Sequence, residues 1–182
     1  MSAADGSSST PEFVARWKRA GEQGDVADAV ACLAKDVELV SPLTAQYRFT
    51  GRDQVHDVLA SAFEVVTQIR FHTDIGDRDT RALFYRGRVG KTQLEEAQLL
   101  RLDPDGRIRQ LTLFARPLPG LTALMAGLGP HMLRRQGRAG LAPLIGLAAT
   151  PLAWLIRVGD ARVAPLGNPS REDRRPFRWR RS

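Results

Sequence analysis

Cysteine, histidine and lysine are all scarce in this 182-residue chain: one cysteine (Cys32), three histidines and three lysines. A single thiol excludes an internal disulfide framework. With only three scattered histidines beside it, no metal-ligand cluster of the zinc type can be assembled, so no metal and no cofactor is expected. No glycine-rich phosphate-binding motif and no internal repeat is present, which argues against a doubly wound nucleotide fold. Residues 1–10 lack both a basic n-region and an apolar h-region, so no secretory signal is read there and a cytoplasmic location is expected. Hydrophobic residues make up 43% and charged residues 26% of the chain, values that exclude wholesale disorder and a polytopic membrane protein.

Acidic residues are scarce only at one end. Residues 1–133 carry 16 Lys+Arg against 17 Asp+Glu, whereas residues 134–182 carry 11 against 3, so the formal charge of +7 is a C-terminal property. Only three of the 27 cations are lysine, an arginine bias of the kind that a GC-rich coding sequence produces without selection for phosphate binding. No nucleic-acid partner is expected. Contact between a membrane surface and residues 118–182 stays open, because six arginines surround Phe177 and Trp179 near the end of the chain.

Hydrophobic spacing divides the rest. Thr10-Pro11-Glu12 reads as a cap, a first-turn proline and a first-turn acid opening a helix in which Phe13 and Trp17 share a face. Gly21 and Gly24 are read as its end. Asp25 caps a second helix with Val26, Ala29, Val30 and Leu33 on one side. Val37–Ser41 alternates as a short strand stopped by Pro42, and a third helix beyond Gly51 carries Val55, Val58, Leu59, Ala62, Phe63 and Val66. From Ile69 the period changes to two, predicting strands separated by Asp77-Arg78-Asp79, Gly90-Lys91 and Asp103-Pro104-Asp105-Gly106. Helices followed by a run of strands predict an α+β fold, with helices covering one face of a curved antiparallel sheet.

After Pro117 the composition shifts. Leu121, Leu124, Met125 and Leu128 mark a short helix ending at Gly129-Pro130, and Ala139–Ile156 runs 18 residues without a charge. At ~1.5 Å per residue this run spans about 27 Å, marginal against a hydrocarbon core of ~30 Å, and Pro143 and Pro151 interrupt it. Packing on its own domain or a dimer mate, lying at a membrane interface, and spanning the bilayer all remain as readings. The expected organisation is a tail (1–10), a main domain (11–117), an apolar helical extension (118–160) and a basic tail (161–182).

One family matches this order. Gly24-Asp25 opening the second helix, Leu33–Pro42 (LAKDVELVSP), Phe49-Thr50-Gly51-Arg52 and Leu99–Pro117 (LLRLDPDGRIRQLTLFARP) together resemble the nuclear transport factor 2-like superfamily, in its SnoaL-like branch. The resemblance covers residues 11 to about 117. It implies a cone-shaped α+β barrel with a deep apolar pocket, usually dimeric. Its members include ketosteroid isomerases, polyketide cyclases, epoxide hydrolases, dehydratases and non-enzymatic modules, so fold alone does not assign function.

The family's known machineries are missing. The isomerases use an aspartate base before the proline of the first strand, with a tyrosine and a protonated aspartate at the oxyanion; the matching positions here are Ser41, Trp17 and Gln98. The cyclase aspartate falls at Leu113 of Thr112-Leu113. The epoxide hydrolase Arg-x-Asp pair meets Arg86-Gly87-Arg88 instead, and the literal Asp77-Arg78-Asp79 sits on a turn.

What remains is Glu96. Strand alternation places Glu96, Gln98, Leu100 and Leu102 on one side, so Glu96 and Gln98 share the core-facing side. A carboxyl desolvated there acquires a raised pKa suited to a general base, whereas one at the rim is simply hydrated. The expected partner is a small hydrophobic molecule held by Trp17, Ser41, Phe63, Phe71 and Gln98, with a homodimer formed through the sheet. Whether the chain is an enzyme, with Glu96 moving a proton, or an interaction module tethered by its C-terminal region is not decided at this level. Cys32, beside the buried face of the second helix, reads as a core residue, and Phe84 and Tyr85 point to opposite faces without the sequence saying which is inward.

Overall fold

A computed structural model describes residues 11–135, 137, 140, 142–163 and 165. The Thr10 cap, the tail 1–10 and the arginine-rich stretch 166–182 lie outside the described residues. The elements in chain order are α1 (Glu12–Gln23), α2 (Val26–Ala31), β1 (Leu33–Val40), β2 (Phe49–Thr50), α3 (Gly51–Val65), β3 (Val66–Gly76), β4 (Thr80–Val89), β5 (Thr92–Leu102), β6 (Ile108–Arg116), α4 (Leu118–Arg135) and α5 (Ala142–Arg162). The fold is α+β, as the order of periodicities predicts.

Pro11 takes the cap position of α1, and Gly24 ends that helix in a left-handed conformation (φ 70°). Gly21 does not end it. It lies buried within α1, where a Cβ would stand 3.2 Å from the Phe71 ring, so its role is close approach of helix to strand. Asp25 caps α2 as expected, its carboxylate accepting the Asp28 N–H. α3 stops at Val65, one residue before its expected last member, and Val66 opens β3 instead.

The six strands form one open sheet in the order β2-β1-β6-β5-β4-β3. β3 to β6 pair antiparallel through the three expected turns. The sheet is nevertheless mixed, since β1 runs parallel to β6. No hairpin ties these two strands; the chain reaches β6 through α3 and four further strands, and a period-two pattern does not encode direction across such a connection. Register shifts at Leu33/Glu38 on β1, at Thr67/Arg70 and Phe71/Thr73 on β3, and at Arg101/Leu102 on β5 interrupt the ladders. Bulges of this kind bend strands and increase local twist. α1, α2 and α3 fill the concave side, where Val14, Trp17, Val55, Leu59, Leu83, Leu100 and Leu111 share one core.

α4 corrects the expectation of a short helix. It runs through Pro130 to Arg135, and its last turns are held to α3 by His131 Nδ1, 2.5 Å from Glu64 Oε2, and by Arg135 on the same carboxylate. Those two contacts on Glu64 tie down the helix beyond a proline that removes one of its own hydrogen bonds. At its other end Gly120 lies so close to β5 that a Cβ would stand 2.6 Å from the Gln93 carbonyl oxygen. α5 packs along α4. Among the described residues no helix is long and apolar enough to cross a membrane, so a spanning segment finds no support there.

A second buried feature braces the far end of the sheet. Asp74 on β3 accepts from Lys18 Nζ at 2.7 Å and from the Arg81 guanidinium at 2.7 Å, and the Arg81 side chain is only 4% exposed. Burial raises the Asp74 pKa, but these hydrogen bonds and charges outweigh it and hold the carboxyl below its ordinary value.

Candidate functional site

Between the helices and the concave face of the sheet lies a cavity of about 60 Å³, lined almost wholly by apolar side chains. Trp17 of α1, Ser41 at the end of β1, Phe63 of α3, Phe71 of β3, and Glu96 and Gln98 of β5 all border it. The fold thus brings the six singled-out residues to one place. Leu124 and Leu128 of α4 form a wall that the sequence did not foresee, because nothing in a short apolar repeat says what it will cover.

The polar groups in this wall form a chain. Trp17 Nε1 donates to Gln98 Oε1 at 2.8 Å, and Gln98 Nε2 donates to Glu96 Oε1 at 3.0 Å. The order is forced: an indole N–H can only donate, so it takes the amide oxygen and turns the amide NH₂ towards the carboxylate. Tyr85, directly opposite Glu96 across the β4–β5 ladder, hydrogen-bonds the same carboxyl. Tyr85 is therefore the inward residue of the Phe84–Tyr85 pair. The alternation could not show this, since both residues are aromatic and both faces of the strand are partly covered.

Glu96 is 4% exposed, not hydrated at the rim. Burial pushes its pKa up, and the hydrogen bonds from Gln98 and Tyr85 only partly offset this, leaving it at about 7. The Tyr85 hydroxyl is also pushed well above its ordinary value, by burial first and then by the neighbouring carboxylate. At neutral pH Glu96 therefore populates both protonation states, while Tyr85 stays protonated and donates. Among the described residues no lysine, arginine or histidine borders the cavity.

The remaining candidates take no part in this chain of polar groups. The Ser41 hydroxyl accepts the Leu43 N–H at 3.1 Å, so it caps a turn while bordering the cavity. Leu113 borders the cavity at the cyclase position and offers no polar atom. Arg86 and Arg116 lie on the outer side of the sheet around Glu95, Arg116 Nη2 at 2.5 Å and Arg86 Nε at 3.7 Å, with His72 Nε2 at 3.5 Å. Asp77 closes its turn by accepting the Asp79 and Thr80 N–H groups. Cys32 is fully buried and its thiol is raised to about 11, which removes it as a nucleophile. Among the described residues no three His, Cys, Asp or Glu side chains are placed to hold a metal.

Known proteins with this geometry are small α+β proteins. The chain is similar to an uncharacterized bacterial protein with a cystatin-like fold from Silicibacter pomeroyi DSS-3: 27% identity, 68% of this chain, 84% of that one, TM-score 0.61. A steroid delta-isomerase from Pseudomonas aeruginosa gives 28% identity, 69% and 89% coverage and a TM-score of 0.59. A SnoaL-like protein from Burkholderia thailandensis is 20% identical, over 59% of this chain and 95% of that one, with a TM-score of 0.51, a likeness of fold alone. No curated protein sequence matches the chain. The profile of the SnoaL-like domain matches residues 14–111, more than half of the sequence. The chain belongs to the SnoaL-like domain family.

Proposed function

We propose that the cavity takes a small, uncharged, hydrophobic molecule and that Glu96 moves a proton on it, with Gln98 and Tyr85 fixing the carboxyl. The observation that carries this reading is one ionisable group, poised near neutral pH, at the floor of an otherwise apolar hollow. General bases work best when their pKa lies close to the working pH. With no cation among the described residues of the wall, the one charge that a carboxylate or phosphate would meet there is the Glu96 carboxylate, which repels it. The likeness to a steroid delta-isomerase supports an apolar ligand and proton transfer. The base differs in position: where the isomerases have aspartate before the strand-ending proline this chain has Ser41, and its carboxylate comes from β5.

The test needs a probe that asks only for a base. In 5-nitrobenzisoxazole, removal of the ring C–H proton by a carboxylate breaks the N–O bond and releases a coloured cyanonitrophenolate. Saturable turnover is expected, with kcat rising through about pH 7 as Glu96 ionises. Turnover no faster than free acetate gives would refute proton transfer by this site.

Cavity size adds a condition. An apolar hole of ~150 Å³ holds benzene, so a bicyclic ligand must displace part of the wall, and Leu128 on α4 is one of its half-buried side chains. Leu128→Ala is expected to lower KM for the benzisoxazole several-fold with little change in kcat, measured by initial rates. A raised KM would mean that α4 does not bound the mouth.

The same reading takes a second copy of the chain as partner. On the outer side of the sheet Phe114 is 57% and Ile75 59% exposed, with Phe84, Ala97 and Phe114 in register across β4, β5 and β6. An isologous contact would bury both patches against their symmetry mates. Phe114→Glu is expected to weaken self-association at least ~10-fold, since it places like charges in the buried centre, as read by sedimentation equilibrium. An unchanged oligomeric state would remove this face as the interface.

A further inference from the structure

Beyond the cavity, the second half of α5 leaves one apolar face exposed among the described residues. Leu152 is 45%, Trp154 57% and Leu155 61% exposed, and Val163, just past the helix, is 63% exposed. At ~100° per residue, Trp154, Val158, Pro151, Leu155 and Leu152 fall within one arc of about 160°, while Ala153 and Ile156 lie on the other side, half-buried. Arg157 borders the arc next to Trp154, and Arg162, the last residue of the helix, falls within the arc at its C-terminal end.

We propose that this face of α5 seats the protein on an anionic lipid surface, with Trp154 and Leu155 among the acyl-chain ends and the arginines at the headgroups. Two observations choose this occupant. The first is the chemistry of the face: an apolar arc with a tryptophan at its edge and arginines beside it is what an interfacial helix presents to a bilayer. The second is charge. Residues 134–182 carry 11 Lys+Arg and 3 Asp+Glu, a net +8 on the part of the chain that holds α5. A second copy docking through the same face would set one such segment against another, and like charges oppose that pairing, whereas an anionic surface attracts it. No spanning segment is required: the helix lies in the interface, and Pro151 inside it is no obstacle there.

The test is co-sedimentation of the full chain with sucrose-loaded vesicles of phosphatidylcholine, alone or with one third phosphatidylglycerol. Partitioning into the anionic vesicles is expected to exceed that into the zwitterionic ones by at least ~10-fold and to fall with added salt. The double substitution Trp154→Glu with Leu155→Glu should cut it at least ~10-fold through the loss of apolar contact. Both positions are exposed and neither lines the cavity, so the unfolding midpoint and benzisoxazole turnover should stay unchanged. Replacing the same two residues by Phe should preserve binding. Three results would overturn the proposal: no pelleting with anionic vesicles; binding that the double glutamate variant leaves intact, which would assign it to arginine electrostatics alone; or a double variant that dissociates a dimer while neither protein pellets, which would assign the face to a second copy.

Discussion

Glu96→Gln is expected to lower benzisoxazole turnover by about 10²–10⁴-fold, the range that a positioned base contributes. Gln keeps the shape and can still accept the Gln98 N–H, so the apolar wall and the Trp17–Gln98 link should survive, and KM should change little. A loss confined to kcat is the signature of a group acting on the reacting atoms; a loss in KM alone would mean that Glu96 only helps bind.

The same substitution should make the protein more stable at alkaline pH. The sign follows from linkage. The folded-state pKa of Glu96 lies above the ordinary value of 4.5, at about 7, so between those values the folded chain binds more protons than the unfolded one. Stability contributed by this group therefore falls as pH rises from 4.5 to 7 and stays low above 7. The difference corresponds to about 3 kcal/mol. Relative to wild type, the Gln variant should gain about that much between pH 5 and pH 8 in urea unfolding. A difference that does not grow with pH would show that Glu96 is not desolvated. Activity and stability moving in opposite directions is what a carboxyl kept at a cost for function predicts.

Asp74→Ala should have the largest effect on the fold itself. It removes the carboxylate facing Arg81, a guanidinium only 4% exposed, and leaves it with long contacts of 3.4 and 3.5 Å to the Gly76 and Asp77 carbonyls. Stranding a buried charge in this way costs about 3–5 kcal/mol. Replacing both partners, Asp74→Leu with Arg81→Met, should restore most of that loss, because the desolvation cost disappears with the charges. Because the Asp74 pKa is held down, its contribution is present above the ordinary carboxyl value and is lost as pH falls through the lowered one. Denaturant midpoints at neutral pH decide the matter: a single variant within about 1 kcal/mol of wild type would mean that water, not Asp74, solvates Arg81.

Much of the cavity was legible because its positions obey simple periods. Val55, Val58, Leu59, Ala62 and Phe63 recur at helical spacing, and α3 turns them inward. Glu96 and Gln98 share parity with Leu100 and Leu102, so two apolar residues were enough to place both carboxyl and amide. The depth of Glu96 was not legible, because burial at β5 comes from opposing elements, Tyr85 across the ladder and α4 over the strand's start. Tyr85 itself was hidden by an aromatic neighbour of opposite orientation. The path of α4 past Pro130 escaped for a different reason: local propensity ends a helix there, but His131 and Arg135 reach Glu64, 67 or more residues earlier in the chain, and a distant ion pair leaves no periodic trace. The parallel β1–β6 pairing is likewise a tertiary choice.

The proposed proton transfer rests on how far one carboxyl has been moved from its ordinary ionisation. A ¹³C NMR titration of the Glu96 side chain, assigned with Glu96→Gln, measures that directly. A midpoint at about 7 is the predicted result; a midpoint near 4.5, the value of a hydrated glutamate, would contradict the account.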